Sequence, residues 1–157
     1  MKRALMTLLL PLALAACGGA AAGYGGGAAP SSQSEPATIS VASSSLGQIL
    51  VGANGKTLYL FEADTSTQST CSGACAQAWP PLTTTGAPKA GSAASASLLG
   101  TTKRTDGTTQ VTYNGHPLYY FVSDTKAGDT TGEGSTAFGA GWDVLSPTGA
   151  KIEKSGS

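Results

Sequence analysis

A stretch of eleven residues occurs twice in this chain, sixty positions apart. Asn54-Gly55-Lys56-Thr57-Leu58-Tyr59-Leu60-Phe61-Glu62-Ala63-Asp64 returns as Asn114-Gly115-His116-Pro117-Leu118-Tyr119-Tyr120-Phe121-Val122-Ser123-Asp124. The shared skeleton is N-G-x-x-L-Y-x-F-x-x-D. Each copy then runs through a Gly-rich stretch to a tryptophan followed by proline, Trp79-Pro80-Pro81 in the first and Trp142 with Pro147 in the second. Self-similarity of this kind restricts architecture more than any local signal, because each copy is one supersecondary unit that must pack on its neighbour.

The unit has a readable local structure. Asn-Gly between apolar runs is a strong hairpin signal, since both residues tolerate the positive φ of a type I′ turn. Gln48 to Ala53 is therefore expected to pair with Lys56 to Glu62, and Gln110 to Tyr113 with His116 to Val122. Asp106-Gly107 marks a further tight turn, which adds Leu99 to Arg104 as a third strand. Side chains alternate along a strand, so Tyr59 and Phe61 share one face and Leu58 and Leu60 the other. Tyr119 and Phe121 stand against Leu118 and Tyr120 in the same way. Apolar residues on both faces imply strands covered on two sides. A lone hairpin is only marginally stable, so the two copies should pack together.

Composition agrees with a β fold. The region from 38 to 154 is rich in Thr, Ser, Gly and aromatic strand residues and lacks long Leu-rich helical periodicity. It suits one small domain, with repeat one at about 46–82 and repeat two at about 98–150. The expected fold is all-β: a small β-sandwich or barrel-like domain from two hairpin-based repeats with a pseudo-two-fold relation, with one short helix near 72–78.

These residues resemble a bacterial family of secreted-repeat lipoproteins defined by a Yx(FWY)xxD motif. Tyr59-Leu60-Phe61-Glu62-Ala63-Asp64 and Tyr119-Tyr120-Phe121-Val122-Ser123-Asp124 both fit it. Cys71-Ser72-Gly73-Ala74-Cys75-Ala76 with Trp79-Pro80-Pro81 fits as well. The resemblance covers nearly all of residues 45 to 150. It implies a location and a fold family, and it supplies no reaction.

The amino terminus carries export signals. Lys2 and Arg3 precede an apolar run from Ala4 to Ala16, interrupted only by Thr7 and Pro11. That run is shorter than the ~20 apolar residues a membrane span needs and reads as a signal peptide, residues 1–16. Leu14-Ala15-Ala16-Cys17 resembles the bacterial lipobox, which implies cleavage before Cys17 and attachment of two or three acyl chains, palmitate among them. Each buried CH₂ contributes ~0.8 kcal/mol, so one chain holds weakly and several hold stably. Residues 17–37 are then the lipidated cysteine and a disordered Gly/Ala/Ser/Pro tether, with a root-mean-square reach of ~25 Å. Gly18 rather than Asp after the cysteine is compatible with the outer membrane of a Gram-negative cell. The expected location is the bacterial envelope, on its extracytoplasmic face.

Loss of Lys2 and Arg3 on cleavage leaves seven basic against nine acidic residues. A net negative domain without clustered Lys and Arg excludes nucleic acid as a partner class. Both methionines, Met1 and Met6, lie in the signal peptide, so the mature chain offers no thioether to a soft metal.

The candidate sites each have a plainer reading beside the functional one. Cys71 and Cys75 stand in an oxidising compartment, and four-residue spacing brings their Cα atoms within disulfide reach. Closing so small a loop adds ~2 kcal/mol. The alternative is a copper or redox site of Cys71, Cys75 and His116, the one histidine. Otherwise His116 is an exposed residue flanking a turn. Asp64 and Asp124 end their strands, where a carboxylate accepts backbone N–H groups as an Asx-turn or helix cap. Asp124, Asp129, Glu133 and Asp143 could instead gather around Ca²⁺, although their spacing is not that of an EF-hand. Tyr59, Tyr119, Trp79 and Trp142 read as core, with their polar tips bonded to backbone, or as a stacking surface for a ligand.

No nucleophile elbow or triad stands out. The function expected from the sequence is that of a non-enzymatic, membrane-anchored binding or envelope-associated domain without a cofactor. Its partner would be an envelope protein, a cell-wall polymer or a small ligand. The alternative is the copper-handling or redox protein built on Cys71, Cys75 and His116.

Overall fold

The computed structural model describes residues 35–153. The segments expected to be a signal peptide, a lipidated Cys17 and a tether lie, up to residue 34, outside the described residues. The chain forms β1 (Thr38–Ser44), β2 (Gly47–Val51), β3 (Tyr59–Phe61), α1 (Ala74–Ala78), β4 (Lys89–Ala90), β5 (Leu99–Lys103), β6 (Thr109–Tyr113), β7 (His116–Pro117) and β8 (Trp142–Val144). The strands make three small sheets, ordered β2-β1-β4, β3-β8 and β5-β6-β7. The domain is thus mostly β with one short helix, as expected. Among the described residues the sheets remain separate and do not close into a barrel.

The second hairpin starts where the sequence places it. β6 pairs with β7 through Tyr113↔His116 and Thr112↔Pro117, and β5 pairs with β6 from Leu99↔Tyr113 to Lys103↔Thr109. Asn54 and Gly55 have φ of 58 and 70, and Asn114 and Gly115 of 50 and 83, the positive pair their turns require.

The first hairpin is shorter than expected. Only its turn end forms, through Gly52 N–H to Lys56 O at 2.8 Å, Leu58 N–H to Leu50 O at 3.0 Å and a Val51↔Thr57 bridge. The main partner of β2 is β1, an unforeseen strand, in antiparallel register from Ser40↔Val51 to Ser44↔Gly47. The motif strands turn instead to each other. Tyr59 N–H donates to Tyr119 O at 2.9 Å and Tyr119 N–H to Tyr59 O at 3.0 Å. β3 also pairs with β8, Tyr59↔Val144 to Phe61↔Trp142, so strands of both repeats share one sheet. The cause is the two-sided apolar pattern: a strand buried on both faces must lie inside the molecule, and a terminal hairpin would leave one edge to solvent.

That pattern divides the interior into two cores. Leu58, Leu60 and Leu118 pack with Ile39, Leu50, Leu82, Val111, Tyr113 and Leu145. Tyr59, Phe61 and Tyr119 pack on the other side with Ile49, Val51, Trp79, Trp142, Val144 and the two cysteines, and Phe121 lies against this cluster. Tyr120 lies partly buried against the leucine-rich core. The predicted face assignment therefore holds in both copies.

Candidate functional site

The motif residues converge in the second core. Tyr59 and Tyr119 stand side by side through their backbone bridge, and neither is exposed. Each hydroxyl reaches across to the carboxylate of the other copy. Tyr59 Oη–H donates to Asp124 Oδ2 at 2.5 Å, and Tyr119 Oη–H donates to Asp64 Oδ2 at 2.5 Å. The remaining oxygens are held locally. Asp64 Oδ1 accepts the Thr70 N–H and Oγ1–H, both at 2.7 Å. Asp124 Oδ1 accepts the Thr131 N–H at 2.9 Å and Oγ1–H at 2.6 Å. The turn role expected of both aspartates is thus real but wider than an Asx-turn. It pins a six- or seven-residue loop by one oxygen and the other repeat by the second.

Burial, and then the bond to the carboxylate, raises both phenol pKa values well above the ordinary value. Both tyrosines are therefore neutral donors at physiological pH, and short bonds to ionised acceptors are among the stronger hydrogen bonds in proteins.

The aromatic rings repeat the reciprocity. Trp79 and Trp142 stack with centroids 3.9 Å apart and planes 5° from parallel. Phe121 stacks on Trp79 at 4.2 Å, and Phe61 stacks on Trp142 at 4.1 Å. Tyr59 meets Trp79 edge-on at 5.3 Å, and Tyr119 meets Trp142 edge-on at 5.2 Å. Trp142 Nε1–H donates to Ala137 O at 2.8 Å. The four aromatic residues Tyr59, Tyr119, Trp79 and Trp142 are core and offer no face to solvent. The tyrosine hydroxyls donate to carboxylates, and of the backbone partners expected for them Tyr59 Oη has one, the Gly132 N–H at 3.3 Å.

Cys71 and Cys75 are joined in a disulfide across a Cα–Cα distance of 5.3 Å. Gly73, at φ 56, lets the chain turn between them into α1. Arg104 fastens this loop from inside. Its guanidinium donates to Cys71 O at 2.6 Å, Ser69 Oγ at 2.6 Å and Gln110 Oε1 at 2.8 Å. Ser69 Oγ also lies 2.7 Å from the Tyr119 hydroxyl. Arg104, Gln110, Ser69, Thr70 and Thr131 were not singled out from the sequence. The threonines carried a signal there: each follows its motif aspartate at nearly the same distance.

With their sulfurs bonded to each other, Cys71 and Cys75 present no thiolates to copper. Among the described residues no group of three His, Cys, Asp or Glu side chains could hold a metal ion. Three of the four acidic residues considered for Ca²⁺ have separate duties. Asp124 serves Tyr59 and Thr131, Asp129 accepts the Thr125 and Lys126 N–H groups, and Glu133 accepts the Val144 N–H at 2.7 Å. Asp143 is buried in β8, and its Oδ2 has no hydrogen-bond partner. Burial raises its carboxyl pKa above the ordinary value, and the charge of Glu62 adds to the rise.

The surface carries a recess of about 320 Å³ beside the motif, lined by Leu60, Phe61, Glu62, Asp64, Thr65, His116 and Lys151. His116 thus sits at a surface recess, as a turn-flanking residue of β7. Lys151 pairs there with Glu62 at 2.8 Å and with Glu153 at 3.0 Å. No helix among the described residues is long and apolar enough to cross a membrane.

The profile of a lipoprotein family described as a secreted repeat of unknown function matches residues 40–83 and 100–146. Each matched span contains one copy of the Tyr–Phe–Asp motif. No curated protein and no solved structure matches the chain.

Proposed function

The chain belongs to this family of secreted-repeat lipoproteins, and from that membership we propose that its two repeats form a single non-catalytic binding domain, tethered by lipid on Cys17. It is an extracytoplasmic, lipid-anchored protein of the bacterial envelope. The observation that carries the reading is the fate of the motif's polar atoms. The hydroxyls of Tyr59 and Tyr119 and the carboxylates of Asp64 and Asp124 are consumed in bonds to each other and to nearby threonines. A signature spent in this way is scaffold, and a ligand must be met by other residues on the outer surface.

The reciprocal tyrosine–aspartate bonds support a pseudo-two-fold relation between the repeats, its axis running between the Tyr59–Tyr119 bridge and the Trp79–Trp142 stack. The recess lined by His116, Glu62 and Lys151 is the surface proposed to meet an envelope protein, polymer or small ligand.

Photo-crosslinking in the intact envelope tests the reading. His116→Ala with Lys151→Ala should lose crosslinked partners while melting as the native domain does. Tyr59→Phe should lower the melting temperature. Cys17→Ser should move the protein from the membrane to the soluble fraction. Chemical turnover of an envelope component by the purified domain would overturn the non-catalytic reading.

A further inference from the structure

The second core stacks its rings more closely than aromatic pairs in proteins usually do. Aromatic pairs in proteins favour edge-on or offset contacts with centroids ~4.5–7 Å apart over a face-to-face sandwich. Here four rings run face to face, Phe121, Trp79, Trp142 and Phe61, at 4.2, 3.9 and 4.1 Å. A Cβ at Gly132 would stand 2.6 Å from Trp79 and 3.1 Å from Phe121, so a glycine leaves room for that end of the stack. Indole and phenol are the most readily oxidised aromatic side chains. Two indoles in near-parallel overlap share a positive hole, which lowers the energy needed to create it.

Each indole also touches an outlet for that hole. Tyr59 lies edge-on to Trp79 and Tyr119 edge-on to Trp142, with interplanar angles of 78° and 84°. A neutral phenol loses an electron at modest potential only if its proton leaves as well. Both phenols face a carboxylate oxygen at 2.5 Å, and in both carboxylates the other oxygen is held by a threonine. The proton acceptor is therefore in place before oxidation. The rings are also shielded from solvent: Tyr59, Tyr119 and Trp142 are 0% exposed and Trp79 is 1% exposed.

We propose that the Trp79–Trp142 stack and its two tyrosine–aspartate pairs form a one-electron relay, which takes up single oxidising equivalents arriving at the envelope surface. In the step, a one-electron outer-sphere oxidant outside the protein gains an electron from the indole pair. Tyr59 or Tyr119 returns an electron to the indoles. The phenol O–H bond breaks, and its proton passes to Asp124 Oδ2 or Asp64 Oδ2. The products are the reduced oxidant, a neutral tyrosyl radical and a carboxylic acid. One electron from an external one-electron reductant, with the proton moving back, restores the pair. The relay uses no metal and no thiol, and it meets the recess proposed above only at Phe61 and Asp64, which line it.

The test uses the mature lipoprotein in detergent micelles with a photogenerated ruthenium(III) polypyridyl oxidant, followed by transient absorption and electron paramagnetic resonance. In the native protein the indole radical should give way to a tyrosyl radical hydrogen-bonded to an acid proton. Tyr113→Phe with Tyr120→Phe should leave that signal unchanged. Tyr59→Phe with Tyr119→Phe should remove it and leave a persistent tryptophan radical. Asp64→Asn with Asp124→Asn should slow tyrosyl formation roughly 100-fold, the scale of a positioned proton acceptor. The proposal fails if the tyrosyl signal survives loss of Tyr59 and Tyr119, or disappears with Tyr113 and Tyr120. It fails equally if the native radical lacks the hydrogen-bonded proton, an outcome read without any variant.

Discussion

The smallest unit that explains this molecule is a tyrosine hydroxyl on a carboxylate from the other repeat. The sequence shows both partners and their faces, since alternation alone puts Tyr59 with Phe61 and Tyr119 with Phe121. It does not show which aspartate each tyrosine meets. Tyr59 stands five residues before Asp64 and sixty-five before Asp124, and only the reciprocal backbone bridge decides for the distant one. Asp143 shows a different limit. As an acid near other acids it invites a cation reading, yet it is a buried carboxylate with one oxygen unpartnered. Its folded pKa is raised, so the native state holds the proton more tightly than the unfolded chain does. The stability this gives is present below the unfolded value and is lost as pH rises through the folded one. Asp143→Asn should therefore raise the melting temperature near neutral pH. That gain should vanish in acid, where the native carboxyl is protonated too. A gain of equal size at all pH values would point to packing rather than charge.

At the level of elements, the Asn-Gly turns, the β5–β6–β7 sheet and the short helix α1 were legible because their signals are local. β1 was not, because Thr38–Ser44 precedes the repeat as read from the sequence and mixes Ser and Ala with only two large apolar residues, Ile39 and Val41. The truncated first hairpin was illegible for another reason: local turn chemistry proposes a partner, and long-range burial overrides it. The disulfide loop is a local staple on an element already fastened by Arg104. Cys71→Ser with Cys75→Ser should cost about 2 kcal/mol in denaturant titration and leave the domain folded. Gly132→Ala should cost a comparable ~1–3 kcal/mol, because the rigid rings of Trp79 and Phe121 must shift to admit a methyl group. Indifference to the alanine would mean that the stack is loose.

Over the whole domain, the two repeats are not beads on a string. Strands of both copies share a sheet, both copies line each core, and the four motif side chains are bonded crosswise. The interlocking accounts for a family signature that lies buried inside the molecule. A lipid anchor then has one interlocked domain to hold at the membrane. The central claim is that the tyrosine–aspartate bonds run between repeats and not within them, and double-mutant cycles read this directly. Denaturation of Tyr59→Phe, Asp124→Asn and their combination should give a coupling of about 1.5–3 kcal/mol, the range for a hydrogen bond to a charged group. The cycle of Tyr59→Phe with Asp64→Asn should give a coupling under ~0.5 kcal/mol, as for side chains that share no bond. The opposite ranking, with Tyr59 coupled to Asp64 and independent of Asp124, would contradict the account.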